Sequence, residues 1–398
     1  MPEVLTVDEI ATSVVTSCLP DSEPPTSGVM ILKSIQIFFR HGARTPVKHV
    51  AGFDESDYVN ELFDRTPSCG GVPVTIQSLD GGPRPISATQ ERYPTFKGGA
   101  RAGQLTALGR LQAHSLGRNF RHRYIRQARL VGSSYDSSLV YVRATNRNRC
   151  LETAQYVLAG MYGRSCGKTA PVVVSTASDD REILKPNTKT CPYLKDMWAN
   201  MPALLAAIPE YTAIEAAYYA RIGDGSDYRL DVMQLRDHIV MRQAHGLPVD
   251  PFFVAMNDAI EREAVRVVTM KLCGVETDRH RVLPLSAGPI LKMIRENFEA
   301  AIHDPPATDS PKLRLYSAQD NTLTTLLVAM GCFDDRWPPY VADLAFELYE
   351  DLNRNHWVQV LYRSKPLTLH GQSASLMSVQ EFFGVTDKFK PIRSQSTV

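Results

Sequence analysis

Short apolar runs that each stop at a charged or amide residue dominate the hydrophobic pattern of the chain. Ile31-Leu32 and Ile35-Gln36-Ile37-Phe38-Phe39 end abruptly at Arg40. Leu139-Val140-Tyr141-Val142 ends at Arg143, and Leu313-Arg314-Leu315-Tyr316-Ser317-Ala318 ends at Gln319-Asp320. Runs this short, rich in β-branched and aromatic residues, predict buried strands. Helical spacing follows them. Thr106 is placed to cap a helix with Leu108, Leu111, Leu116 and Phe120 on one side. The stretch from about Arg147 to Gly160 is helical in pattern, and so is Leu323 to Met330, where Gly331 provides a stop. The recurring order of strand, charged turn and helix predicts an α/β fold with a mainly parallel central sheet flanked by helices.

Between residues 164 and 282 strand signals fade and helical ones take over, as in Met201 to Ile208. This stretch is predicted to be a mostly helical cap insertion, leaving 31–163 and 283–398 as the α/β catalytic domain. Tyr340 to Tyr349 and Trp357 to Tyr362 flank the turn-like Asp351-Leu352-Asn353-Arg354-Asn355 and predict a hairpin. Residues 1–30, rich in Ser, Thr, Pro and acids, read as a flexible N-terminal arm.

Composition narrows the function. With 44 Lys+Arg against 43 Asp+Glu, the formal net charge is +1, so nothing draws the whole surface to nucleic acid and any charge-driven function is local. The densest basic run, Arg118 to Arg129, reads as a solvated helix face. No apolar run approaches the roughly 20 residues needed to span a bilayer. The first residues lack the pattern of a signal peptide, the 7 cysteines form no C-x-x-C, and there is no Asn-x-Ser/Thr sequon. An intracellular location, cytoplasmic or mitochondrial, is the expectation. Oligomeric state is left open.

In open α/β sheets ligands bind beyond the carboxyl ends of the strands, where helix N-termini favour anions. Here those ends bring Arg40, Arg44, Arg143 and Asp320 toward one edge. Arginine forks match phosphate oxygens in pairs and stay charged. His41 lies between two of them, and positive neighbours keep its ring neutral and able to attack phosphorus. Asp320 is the candidate acid for the leaving alkoxide and base for the incoming water. No metal and no cofactor are required, and no His/Asp cluster has ligand spacing.

Arg40-His41-Gly42-Ala43-Arg44-Thr45-Pro46 matches R-H-G-x-R-x-P, and with it the chain resembles the histidine acid phosphatase family, branch two of the histidine phosphatase superfamily. Gly103 to Gly109, Val142-Arg143-Ala144-Thr145-Asn146, Tyr316 to Asp320 and Phe346 to Tyr349 extend the resemblance in order. It implies a catalytic α/β domain with a helical cap, hydrolysis of a phosphomonoester through a phosphohistidine, phosphate binding by Arg143, and a lysophospholipid such as lysophosphatidic acid as candidate substrate. One departure matters. The family's His-Asp pair is Gln319-Asp320 here. Glutamine can still donate to phosphate, but it carries no charge and relays no proton. The expectation is a working enzyme slowed by about one to two powers of ten; the alternative is an impaired member that only binds phosphate or phospholipid.

Weaker signals have plainer readings. Cys273 to Arg279 satisfies C-x5-R, but Glu276 and Asp278 would repel a phosphate there. Asp224-Gly225-Ser226-Asp227 fails the calcium-loop spacing. His49 reads as a loop histidine, His114 and His122 as helix-surface residues, and Lys48 as a possible addition to the phosphate clamp.

Overall fold

The first apolar run is β1, Met30–Arg40, and it lies in the middle of the sheet. The structure, a computed structural model, describes residues 29–64, 70–87, 93–163, 166–167, 170–223, 229–303 and 310–390. Nearly all of the N-terminal arm and the Asp224–Asp227 stretch lie outside them. The other strands are β2 (Val74–Ser78), β3 (Val140–Ala144), β4 (Val172–Thr176), β5 (Leu313–Ala318), β6 (Asp343–Asp351), β7 (His356–Tyr362), β8 (Lys365–Pro366) and β9 (Leu376–Ser378). The order is β2-β4-β3-β5-β1-β6-β7-β8, with β9 also on β7. The first five strands in that order run parallel, and β6 to β9 add an antiparallel flank. β6 and β7 form the predicted hairpin, with Leu348 opposite Val358. β2 and β4 carry weak signals. β4 falls inside the stretch expected to be helical, yet it belongs to the sheet.

The longer α-helices are α1 (Ala107–Phe120), α2 (Asn148–Tyr162), α3 (Pro192–Ala206), α4 (Pro209–Ile222), α5 (Val232–Ala244), α6 (Asn257–Cys273), α7 (Arg279–Ser286), α8 (Gly288–Ile302), α9 (Asp320–Ala329) and α10 (Val379–Asp387), and a π-helical stretch, Arg121–Gln127, continues α1. Side chains alternate across a strand, so β1 feeds two cores. Ile35, Ile37 and Phe39 pack with Phe120 and Val157 under α1 and α2. Phe38 faces the other way, toward Ile294, Leu323 and Phe382 of α8, α9 and α10. Thr106 caps α1, its side chain accepting from the Gly109 amide (3.2 Å).

Helices α3 to α6 gather over the carboxyl ends of the strands around their own cluster, which includes Leu205, Tyr218, Ile239 and Val267. α6 joins this cap to the sheet: Ala264 and Val267 face the cap cluster while Val268 and Leu272 face the core under α9. Val50, just past the Arg40–Pro46 motif, is buried in the cap cluster, so the motif loop is held from both sides.

In the basic run Arg118, Arg126 and Arg129 are exposed, as read from the sequence, but Arg123 departs from that reading. Arg123 reaches Glu347 on β6 (2.9 Å), a fully buried carboxylate that also accepts from the hydroxyls of Tyr124 and Tyr349. A charge out of water must be paired, and the helix face carries the partner.

Candidate active site

Strand register assembles the site. β1 and β5 are parallel with Arg40 opposite Ala318, and the His41 amide donates to the Ala318 carbonyl (3.3 Å). Arg40-His41 and Gln319-Asp320 therefore leave the sheet side by side. The motif loop then turns beneath α1 at a close backbone approach. A Cβ on Gly42 would lie 2.2 Å from the Gly109 carbonyl oxygen, so only glycine fits. The Thr106 amide donates to the Ala43 carbonyl (3.0 Å), the Ala43 amide donates to Gln112 (2.8 Å), and Thr45 donates to the Arg101 carbonyl (2.7 Å). These bonds preorganise the loop.

His41 is 1% exposed, and its Nδ1 lies 2.8 Å from the Gly42 carbonyl oxygen. Its basicity is pushed well below the ordinary histidine value, first by burial and then by the charges of Arg149, Arg44 and Arg40, with the Gly42 bond opposing them. The ring is neutral. Because a carbonyl only accepts, the single ring proton belongs on Nδ1, and Nε2 keeps its lone pair. That is the tautomer a nucleophile at phosphorus requires.

Asp320 opens α9 directly after the strand; Gln319, not Asp320, occupies the cap position. The Asp320 carboxylate meets Arg40 at 3.0 Å, accepts from Trp337 Nε1 at 2.9 Å and from the Asn321 amide at 2.9 Å. Burial raises its pKa, but Arg40, Trp337, Arg44 and the Asn321 amide outweigh burial and hold it below the usual carboxylate value. These neighbours keep Asp320 ionised. A phosphate dianion arriving beside it opposes that negative charge and favours uptake of a proton, as a general acid needs.

The arginines divide their partners between protein and pocket. Arg40 donates to the Pro338 carbonyl (2.8 Å) and lies over the Tyr340 ring (4.5 Å). Arg44 is anchored by Asp237 of the cap helix α5 (2.7 Å) and by the Thr45 carbonyl (2.9 Å). Arg149, in the first turn of α2, donates to Gln319 Oε1 (3.0 Å). The Nε–H groups of Arg40, Arg44 and Arg149 are buried without a protein partner. A buried donor without a bond is costly, and the Nε–H groups of Arg143 and Arg279, away from the cavity, carry the same cost.

Arg143 goes elsewhere. It stands opposite Tyr316, which stands opposite Phe38, so it sits two residues short of the edge where Arg40 lies. At about 3.3 Å per residue that is a gap of roughly 7 Å. It points into the core shared by Phe38 and Tyr316 and pairs with buried Glu182 (2.8 Å). Arg149 takes the place expected for Arg143. The signal lay within the same segment, in Thr145-Asn146-Arg147-Asn148-Arg149, where several arginines compete and pattern alone cannot choose. Asp237 and Trp337 were also missed, because nothing in sequence ties them to this edge.

A cavity of about 260 Å³ opens over these groups. Arg44, Arg149, Arg236, Lys271, Gln319 and Asp320 are among its polar lining, with Val47, Trp198, Met233, Val268, Leu272 and Trp337 between them, while His41 and Arg40 lie behind this lining. The remaining sequence candidates stay outside. His49 pairs with Glu55 (2.6 Å) on an exposed loop, and Lys48 is exposed beside it. Cys273 ends α6 fully buried, and burial pushes its thiol up to about 12, which is unlike a phosphate-loop nucleophile.

The chemistry open to a neutral buried imidazole among three guanidinium groups, with a carboxylate across from it, is transfer of a phosphoryl group to nitrogen. Enzymes that work this way are histidine-dependent phosphatases. The description of the histidine phosphatase superfamily (branch 2) matches residues 31–363, and the chain belongs to that family. It is 30% identical to the human (Homo sapiens) lysophosphatidic acid phosphatase type 6 over 94% of this chain and 89% of that protein. It is 28% identical to the lysosomal acid phosphatase of Bos taurus over 92% of this chain and 80% of that one. Among solved structures, the multiple inositol polyphosphate phosphatase of Bifidobacterium longum, in complex with inositol hexasulfate, has the same fold, with a TM-score of 0.62 at 11% identity over 100% of this chain and 98% of the other. A phytase from Hafnia alvei gives 0.60 at 14% identity over 94% and 100%. The protein is accordingly a phosphomonoester hydrolase of the acid phosphatase type. Among the described residues no helix is long and apolar enough to cross a membrane.

Proposed function

We propose that the protein hydrolyses an amphiphilic phosphomonoester, lysophosphatidic acid being the candidate, with His41 as nucleophile, Asp320 as proton carrier and Arg40, Arg44 and Arg149 as the phosphate clamp. His41 Nε2 attacks phosphorus, the bond from phosphorus to the leaving oxygen breaks, and Asp320 gives that oxygen its proton. Water then attacks the phosphohistidine, Asp320 takes the water proton, and inorganic phosphate leaves with His41 restored. The arginines stabilise the equatorial oxygens throughout. Gln319 holds Arg149 through its carbonyl, which leaves its amide NH2 free to donate.

The observation carrying this reading is the buried, neutral His41 with Nδ1 committed to the Gly42 carbonyl. The apolar residues of the cavity lining, Trp198, Met233, Val268 and Leu272, support an acyl-bearing leaving group. The test compares the unaltered enzyme with His41→Ala on lysophosphatidic acid and on an aryl phosphate between pH 4 and 8, roughly the span of carboxylate and imidazole titration. An acid-labile phosphoprotein and turnover should appear only with His41 present. Equal rates in the two proteins would end the mechanism, and no turnover in either would mark a phosphate binder.

A further inference from the structure

A second cavity, of about 310 Å³, adjoins the first and shares Tyr93, Arg149, Trp198, Gln319 and Asn321 with it. Its character is different. Arg147, Arg149, Lys185 and Lys189 line it against one carboxylate, Asp179. That carboxylate is already engaged, by Arg147 at 3.3 Å and by Lys189 at 3.2 Å. Glu182, the other nearby acid, is taken by Arg143 at 2.8 Å. Lys185 is left half-buried, with no carboxylate within ion-pair distance among the described residues. Burial and the charge of Arg147 lower its pKa, with Asp179 and Glu182 only partly opposing them. A cation that gives up water without a counterion is costly unless something else supplies the charge.

We propose that this cleft is a subsite for a second anionic group, a carboxylate or phosphate, on the leaving-group side of the substrate, with Lys185 as its principal contact. The proposal rests on the reading above, since Arg149 and Gln319, which border the phosphate clamp, line both cavities and so join the cleft to it. A substrate bearing such a group places its phosphate in the clamp and its second anion against Lys185 and Lys189. An acyl chain packs on the apolar residues of the first cavity.

The experiment uses two matched pairs: glycerol 3-phosphate with 3-phosphoglycerate, and phenyl phosphate with 4-carboxyphenyl phosphate. Each pair adds one carboxylate, at a short and at a longer distance from phosphorus. For at least one pair the wild type should prefer the carboxylated member by about three- to tenfold in kcat/KM, carried by KM, as expected for one charge-assisted contact at a part-exposed site. Lys185→Met should erase that preference and keep turnover of the neutral member within about twofold, while Lys185→Arg retains it. Absence of a preference in both pairs overturns the subsite. So does a preference that survives Lys185→Met, or an equal loss on both members. If the wild type hydrolyses no member of either pair, the proposed reaction at His41 fails, and the subsite with it.

Discussion

Two arginines close in the chain, Arg143 in β3 and Arg149 in the first turn of α2, make a sharp prediction because only the second borders the cavity. Arg149→Met removes a 6% exposed guanidinium that borders the cavity, donates to Gln319 and heads the charges acting on His41. Losing one preorganised charged donor from a phosphoryl-transfer transition state costs about 2.7–4 kcal/mol, or two to three powers of ten in kcat. A second consequence follows from His41. Only its neutral form attacks, and Arg149 helps hold its pKa below the ordinary value, so without Arg149 that pKa rises. The acid limb of kcat/KM against pH then moves to higher pH. Arg143→Met behaves differently. It leaves buried Glu182 without its cation and with only the Leu184 amide (2.8 Å) to support the charge, which costs about 3–5 kcal/mol of stability, while kcat of the folded enzyme changes by no more than about threefold. Arg143→Met with Glu182→Gln recovers most of that stability, because no unpaired charge remains. Steady-state kinetics across pH, with denaturant unfolding of each variant, separates the two outcomes. Folded Arg143→Met with kcat lost, beside Arg149→Met with kcat and pH profile unchanged, would refute the assignment.

Two further substitutions probe the far side of the pocket. Asp320→Asn keeps the acceptor for Trp337 but carries no proton to the leaving oxygen. We expect about a 100-fold or greater loss on glycerol 3-phosphate and a loss of less than about tenfold on 4-nitrophenyl phosphate, whose leaving group needs no acid; equal losses would remove Asp320 from that role. Gln319→His restores a donor that can be charged beside the phosphate and should raise kcat at acid pH by about tenfold or more. An unchanged rate would show that the glutamine imposes no penalty.

Much of this protein is legible in one dimension because its strongest signals are local. Buried strands must be apolar on both faces, and they stop where the chain reaches charge, so Ile35–Phe39 and Leu313–Ala318 announce themselves. Glycine at position 42 follows from the motif, and its reason from the Gly109 backbone pressed against it. A helix cap such as Thr106 needs only its next three residues. β4 was harder to see, since Val172–Thr176 is a short strand set in a helical stretch whose place depends on its neighbours β2 and β3.

The sequence by itself determined that an arginine-rich edge would carry a histidine and a carboxylate, because each of those residues sits at the end of an unmistakable strand. Only the tertiary structure decided which arginines serve it. Register puts Arg143 roughly two residues beneath the edge, against Glu182 from a distant loop, and the turn into α2 brings Arg149 forward instead. The partners that tune the site, Asp237 on Arg44 and Trp337 on Asp320, come from segments remote in the chain. Charge in a site depends on distance and burial, and those are set by packing rather than by neighbours in sequence.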